Sequence, residues 1–232
     1  MPADRSHNRL LAALSEPAFA LWAPQIERVS LALGQVLQAP GVAVEHVYFP
    51  TSALVSLRYG ASIDAALEVA VIGNDSVVGT AGLMGAEQAY SHALVSTAGA
   101  AFRLPAAAFQ AAIERADEVL RLLLRHTQAL IVQLSQTAWC RQHHSPTQQL
   151  ARWMLVRLNR LPADASDLGP PWPGLLPTVQ HQATAAAMAS LADHGAIAWK
   201  QGHLLVADRH PLERLACGCH SLIRTECERL MT

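Results

Sequence analysis

Cys217, Cys219 and His220 stand together near the C-terminus, with Cys227 beyond them and Cys140 far upstream as the chain's other cysteines. Thiolate and imidazole are the ligand types that zinc and other borderline metals prefer. A metal site needs four convergent ligands, however, and Cys-Gly-Cys-His separates its cysteines by a single residue where about two to four are usual. The spacing therefore reads as reduced thiols on a terminal helix, with no metal and no cofactor. The histidines do no better. His46, His92 and His126 are too isolated to form a facial triad, and a single axial candidate does not define a haem site. No nucleophile elbow, phosphate loop or paired acid and base stands at useful spacing, so the chain is not read as an enzyme.

Composition narrows the partners. With 51% apolar residues over 232 positions, one large or two small domains can form real cores. A net charge of −1 with 15% charged residues excludes a globally basic binder, so any nucleic-acid contact must be a local patch. No apolar run reaches the length of about eighteen residues that would span a membrane. The first residues lack the apolar stretch of a signal peptide, which points to the cytoplasm.

The elements that must position any site change character along the chain. Residues 8–22 carry leucines and Phe19 at helical spacing, broken at Pro17. Between Val29 and Leu104 come short apolar runs split by turn residues. The expected strands are Val29–Leu33, Val47–Phe49, Leu54–Leu57, Leu67–Ile72, Ala93–Thr97 and Ala100–Leu104, a pattern of a sandwich or jelly roll. Pro105 opens a short helix.

A long helix is then expected from Ile113 to about His144. Ile113, Leu120, Thr127 and Leu134 fall seven apart, as do Ala116, Leu123, Leu130 and Thr137. Its apolar face is wide enough to serve both its own β domain and a twin subunit, over roughly 40 Å. The interface residues this selects are Ile113, Leu120, Leu123, Leu130 and Leu134. Ser145-Pro146 starts another helix, and Leu161–Thr178 is a proline-rich loop. Thr178–His194 is an alanine-rich helix stopped by Gly195. A hairpin around Lys200-Gln201-Gly202 and a closing helix from about Pro211 to Leu230 complete the chain.

In this order and spacing the chain resembles the Crp/Fnr family of bacterial transcription regulators along nearly its whole length. The matching stretches are Val47–Ser52, Ile72–Gly79 and Ala98–Pro105, then His144, Gln149–Trp153 and His194–Ile197. The resemblance implies an α+β protein in three parts. Residues 1–112 form a jelly-roll sensor of the cyclic-nucleotide-binding type, 113–144 a dimerisation helix, and 145–232 a winged helix-turn-helix that reads the major groove. The implied partners are DNA and a second copy of the chain, with RNA polymerase as a further possibility.

The chain departs from the family's pattern in two places. Relatives that bind cyclic nucleotides hold the ribose with a Gly-Glu pair and the phosphate with Arg-Ser or Arg-Thr before an alanine. Here those positions read Gly79-Thr80 and Ser91-His92-Ala93. A buried phosphate without its guanidinium is deprived of a charge-assisted hydrogen bond, and His92, with an ordinary pKa of about 6.5, is a poor permanent counterion. The effector is thus not expected to be a cyclic nucleotide. Iron–sulfur relatives use cysteines near the N-terminus, and none precedes Cys140.

The second departure falls on the scaffold helix of the helix-turn-helix, which aligns with Gly169–Leu176. Pro170, Pro171 and Pro173 there, with Pro177 just beyond, each cost roughly 3 kcal/mol in a helix interior. The positions that relatives aim at base edges carry His181, Gln182 and Ala186, with Gln180 and Thr184 beside them. Gln pairs with adenine and His or Thr donates to several bases, but the Arg that grips guanine is absent. Lys200 in the wing, with Arg152, Arg157 and Arg160 on the preceding helix, is the expected phosphate set, and so few cations imply weak affinity. Two readings stay open: a DNA-reading regulator, or a regulator-like dimer that acts through protein contacts or another ligand.

Overall fold

A computed structural model of the chain describes residues 4–60, 62–63, 66–86, 88–169 and 181–230. The prolines at 170–177 and Gln180 lie outside the described residues. So do the side chains of His181 and Gln182, although their backbone is helical.

Two short helices open the chain, α1 (Arg9–Ala12) and α2 (Glu16–Ala20). Pro17 does not break a helix, as the sequence suggested. It sits in the first turn of α2 behind the Ser15 cap, where its missing N–H costs nothing. Asn8 caps α1 at the Leu11 amide and donates to the carbonyls of Pro50 and Ser76, pinning this segment to the β domain.

The strands are β1 (Glu27–Leu31), β2 (Val36–Gln38), β3 (His46–Pro50), β4 (Leu54–Tyr59), β5 (Leu67–Ile72), β6 (His92–Thr97) and β7 (Gly99–Pro105). They form two antiparallel sheets in the orders β1-β7-β3 and β2-β6-β4-β5. All six expected strands are present with ends within a few residues. β2 was missed because three residues are too few to show a period. Leu31, Val55, Ile72, Val78 and Val95 fill the space between the sheets. At one end Trp22 stacks on Phe109 at 5.6 Å, beside Phe49, Leu10 and Leu11.

Helix α3 (Ala106–Arg115) leads to α4 (Asp117–His143). The long helix therefore begins at Asp117, not at Ile113. Ala116 is extended (φ −138°, ψ 106°) and breaks the run, leaving Ile113 on α3, packed against the β-domain core. Helix α5 (Pro146–Leu158) opens with a full capping box between Ser145 and Gln148. Helix α6 (His181–Asp193) ends before Gly195, whose φ of +70° is the left-handed value a helix stop requires. Strands β8 (Ile197–Lys200) and β9 (His203–Val206) pair around Gln201 and Gly202, both at positive φ. Ser166–Gly169 hydrogen-bonds along the free edge of β9 through an isolated bridge at Asp167 and Leu205. The expected closing helix is two helices, α7 (Arg209–Leu215) and α8 (Cys219–Leu230), separated at Ala216–Gly218. Among the described residues no helix is long and apolar enough to cross a membrane.

The C-terminal domain is docked on the outer face of the β2-β6-β4-β5 sheet. Leu54 and Val71 share one core with Leu150, Trp153, Met154 and Leu191. A bulge at Val69, where Leu57 pairs with Ala70 but Arg58 pairs with Glu68, re-aims Glu68 toward α5. Glu68 there accepts from Trp153 Nε1 at 2.9 Å, from Arg157 Nη2 at 2.5 Å and from Ser56. Arg160 pairs with Asp75 at 3.0 Å and donates to Gln133. Gly73 makes this closeness possible, since a Cβ there would come within 2.5 Å of Arg160 Cβ.

Candidate functional site

The residues expected from the sequence to read a groove map to the start of α6 and to the β8–β9 hairpin. Ala187 and Leu191 face inward, Ala185 and Ala186 outward, and Thr184 is half-buried. Lys200 is exposed at the tip of β8 beside the exposed Trp199. The rest of the expected phosphate set does not hold. Arg152, Arg157 and Arg160 are buried, and the last two are paired with Glu68 and Asp75 of the β domain. The reason is position: Arg152 and Arg157 lie on the inner face of α5 and Arg160 in the turn just after it, against the β domain.

Of the residues expected at a dimer interface, Leu123 is a correction. It is 1% exposed and packs with Val119 and Leu122 against the protomer's own β domain. Leu120 and Leu130 are half-buried, while Leu134 is exposed. Among the leucine and isoleucine side chains of α4 the most exposed are Leu124 (54%) and Ile131 (50%), which with Leu134 form one open stripe, while Trp139 (56%) is exposed nearer the helix end and stacks on His143. Leu124 and Ile131 lie seven apart and each one residue beyond the expected Leu123 and Leu130, while Leu134 belongs to the expected set and Ile113 and Ala116 fall outside α4.

In the β domain, Gly79 has φ +98°, and a Cβ there would come within 2.9 Å of the His46 carbonyl. Thr80 opens a 3-10 turn and supplies no charge. His92 starts β6 opposite Arg58, with its Nδ1 buried and lacking a hydrogen-bond partner among the described residues. Arg58 donates to the Ala66 carbonyl.

The arrangement that sequence reasoning missed is a cluster of Cys140, His144, Cys217 and Cys219, whose ligand atoms all lie within 4.8 Å of one another. Cys140 and His144 are one turn apart at the end of α4, and the other two flank Gly218 at the start of α8. Cys140 Sγ is 3.5 Å from Cys217 Sγ, and Cys219 Sγ is 3.6 Å from His144 Nδ1. All three cysteines are buried and reduced. The hydrogen bond from Cys140 pulls the Cys217 thiol down to about 5 and pushes Cys140 far up. Weighing Cys-Gly-Cys-His alone misled the reading, because His220 turns away to Asn159 Nδ2 at 3.0 Å. The overlooked signal was Cys140-x-x-x-His144, a spacing that puts both ligands on one face of a helix.

No family model matches the chain, and no curated protein matches it. Solved structures do match its fold. FixK2 from Bradyrhizobium japonicum is 14% identical, covering 83% of this chain and 98% of its own at a TM-score of 0.66. A protein assigned to the crp/fnr family of transcriptional regulators, from Eubacterium rectale, is 10% identical and covers 90% of this chain and 98% of its own, TM-score 0.65. The c-di-GMP-responsive global regulator CLP of Xanthomonas campestris is 12% identical over 84% of this chain and the whole of its own, TM-score 0.58. The chain thus has the Crp/Fnr regulator fold, with its cyclic-nucleotide-binding-like β domain and helical C-terminal domain.

Proposed function

We propose that the protein is a homodimeric, DNA-binding transcription regulator of the Crp/Fnr type that answers to a signal other than a cyclic nucleotide. The observation that carries this reading is the architecture itself. A jelly roll, a long helix with an open apolar stripe and an α6–hairpin unit follow one another in one fold, shared with regulators over most of the chain. The stripe of Leu124, Ile131 and Leu134 supports pairing with a second copy, because three large apolar side chains one and two turns apart leave water only against a matching surface. Thr80, Ser91 and His92 support the exclusion of cyclic nucleotides. They offer no fixed positive charge to a phosphate and no carboxylate to a ribose. DNA is the proposed macromolecular partner in the cytoplasm, RNA polymerase a further one, and no catalytic role is assigned.

The burial of Arg152, Arg157 and Arg160 favours a second reading, a regulator-like dimer that has given up sequence-specific DNA binding. Selection of bound sequences from random DNA with the purified protein separates the two. A palindrome with half-sites about one helical turn apart supports the first, and a folded dimer that enriches nothing supports the second.

A further inference from the structure

We infer that Cys140, His144, Cys217 and Cys219 form a mononuclear, four-coordinate metal centre that takes a divalent ion of the zinc class and ties α8 to the end of α4.

The distances fit such an ion. With metal–sulfur bonds of about 2.3 Å and metal–nitrogen bonds of about 2.0–2.1 Å, tetrahedral ligands lie about 3.5–3.8 Å apart. The Cys140–Cys217 and Cys219–His144 pairs stand at 3.5 and 3.6 Å, and no pair in the cluster exceeds 4.8 Å. An iron–sulfur cube gives each thiolate its own iron at a separate corner, which spreads the ligands further than this. A disulfide needs its sulfurs at about 2.05 Å, and the Cys140 and Cys217 sulfurs are apart and reduced.

The chemistry of the donors agrees. Three thiolates and one imidazole are the Cys₃His set of closed structural zinc sites, with no position left for substrate. Three thiolates around a divalent ion leave one net negative charge. Arg152 is buried and donates to Thr137, one turn before Cys140 on α4. It makes no ion pair with a carboxylate among the described residues, whereas Arg157 and Arg160 of the same segment both do. A buried cation left without a carboxylate beside a thiolate-rich metal site is compensated by that site's charge.

The placement says what the ion does. His144 ends α4 with extended backbone, and Ser145 caps α5, so the cluster sits at the joint between the long helix and the C-terminal domain. Its ligands come from both sides of that joint.

The test uses the full-length protein purified without chelator. Plasma mass spectrometry should find about one zinc-class ion per chain. X-ray absorption should resolve three sulfur neighbours and one nitrogen, and Co²⁺ exchanged into the site should show thiolate-to-metal charge transfer with strong tetrahedral ligand-field bands. Cys219→Ser and His144→Ala should lower affinity by about tenfold or more in competition with a chromophoric chelator, since even outer-shell changes cost that much. Cys227→Ser and His220→Asn should keep the ion. A metal-free chain with freely reacting thiols, a Cys140–Cys217 disulfide in peptide mapping, inorganic sulfide with the metal, or loss of the ion in Cys227→Ser would each overturn the inference. The wild-type spectroscopy decides the case even where a variant fails to fold, and none of these measurements depends on DNA binding.

Discussion

Arg157 of α5 and Glu68 of β5 form an ion pair at 2.5 Å with their side chains only 1% and 6% exposed. The guanidinium also lies 4.0 Å over the Trp153 ring, and Trp153 donates to the same carboxylate. A pair this dry is worth little net stability, because desolvation offsets most of the attraction, but it is severe when one half is missing. Its role here is to fix how the C-terminal domain sits on the jelly roll.

Replacing Arg157 with Met should therefore cost about 3–5 kcal/mol, because it leaves a buried carboxylate with only Trp153 and Ser56 as donors. The double change Arg157→Met with Glu68→Met should recover most of that loss. Chemical denaturation of the three proteins reads the result. Equal and additive losses would mean that the two side chains are not coupled.

His126 predicts an acid-sensitive step. Burial pushes its pKa from 6.5 down to about 4, with Asp75 opposing and Arg160 adding to that shift. Gln133 and Cys227 complete its polar surroundings. The folded state keeps the ring neutral while the unfolded chain protonates it, so stability is full above about pH 6.5 and falls as the pH drops toward about 4. The loss amounts to about 3 kcal/mol. Asp75 acts lower. Burial penalises its carboxylate, but Arg160 and Ser76 outweigh that and hold its pKa below the usual value. Its contribution is present above about pH 3.9 and is lost as the pH falls through its folded value. His126→Gln should flatten the upper window alone, seen as a smaller change in unfolding free energy between about pH 6.5 and about pH 4.5.

The open stripe on α4 gives the association test. Leu124→Glu with Ile131→Glu should yield folded monomers in sedimentation, because each leucine or isoleucine buried at an interface contributes about 1.5–3 kcal/mol. Leu123→Glu should instead unfold the β domain, since that side chain is in the protomer's own core. A double variant that remains dimeric at wild-type affinity would place the interface elsewhere.

What the sequence disclosed follows from the range of each signal. The six strands of five to seven residues and the helix caps at Ser145 and Gly195 are local, so pattern and turn chemistry placed them. The break at Ala116 was invisible because alanine is a strong helix former and tertiary packing, not propensity, stops the helix there. The phase of the free stripe on α4 depended on which face the jelly roll covers, and a seven-residue repeat is silent on that. Arg157 and Arg160 looked like part of a basic face because their acidic partners lie about eighty-five to ninety residues away, with Glu68 re-aimed by a bulge. The metal-type cluster was hidden for the same reason, since half of its ligands come from the end of α4 and half from the start of α8.

The DNA prediction follows from which cations remain. Among the described residues of the α6–hairpin unit, Lys200 stands exposed, while Arg209 and Arg224 outside it pair with Glu213 and Glu228. A protein that neutralises few phosphates binds weakly and with a shallow dependence on salt, so the binding assay belongs at low ionic strength. There, Lys200→Ala should weaken all sequences alike and reduce the salt slope by about one. His181→Ala and Gln182→Ala, in the first turn of α6, should relax preference at particular positions by about 1–3 kcal/mol for each base pairing removed, with non-specific affinity unchanged. Thr184→Val should do less, because its side chain is half-buried against the domain. Freeing the buried cations offers the converse test. Gly73→Val, which forces the turn at Arg160, just after α5, off the sheet, should raise non-specific DNA affinity if docking on the jelly roll is what withholds those arginines. If neither wild type nor Gly73→Val prefers any sequence at low salt while both stay folded and dimeric, the regulator-like reading without DNA recognition stands instead.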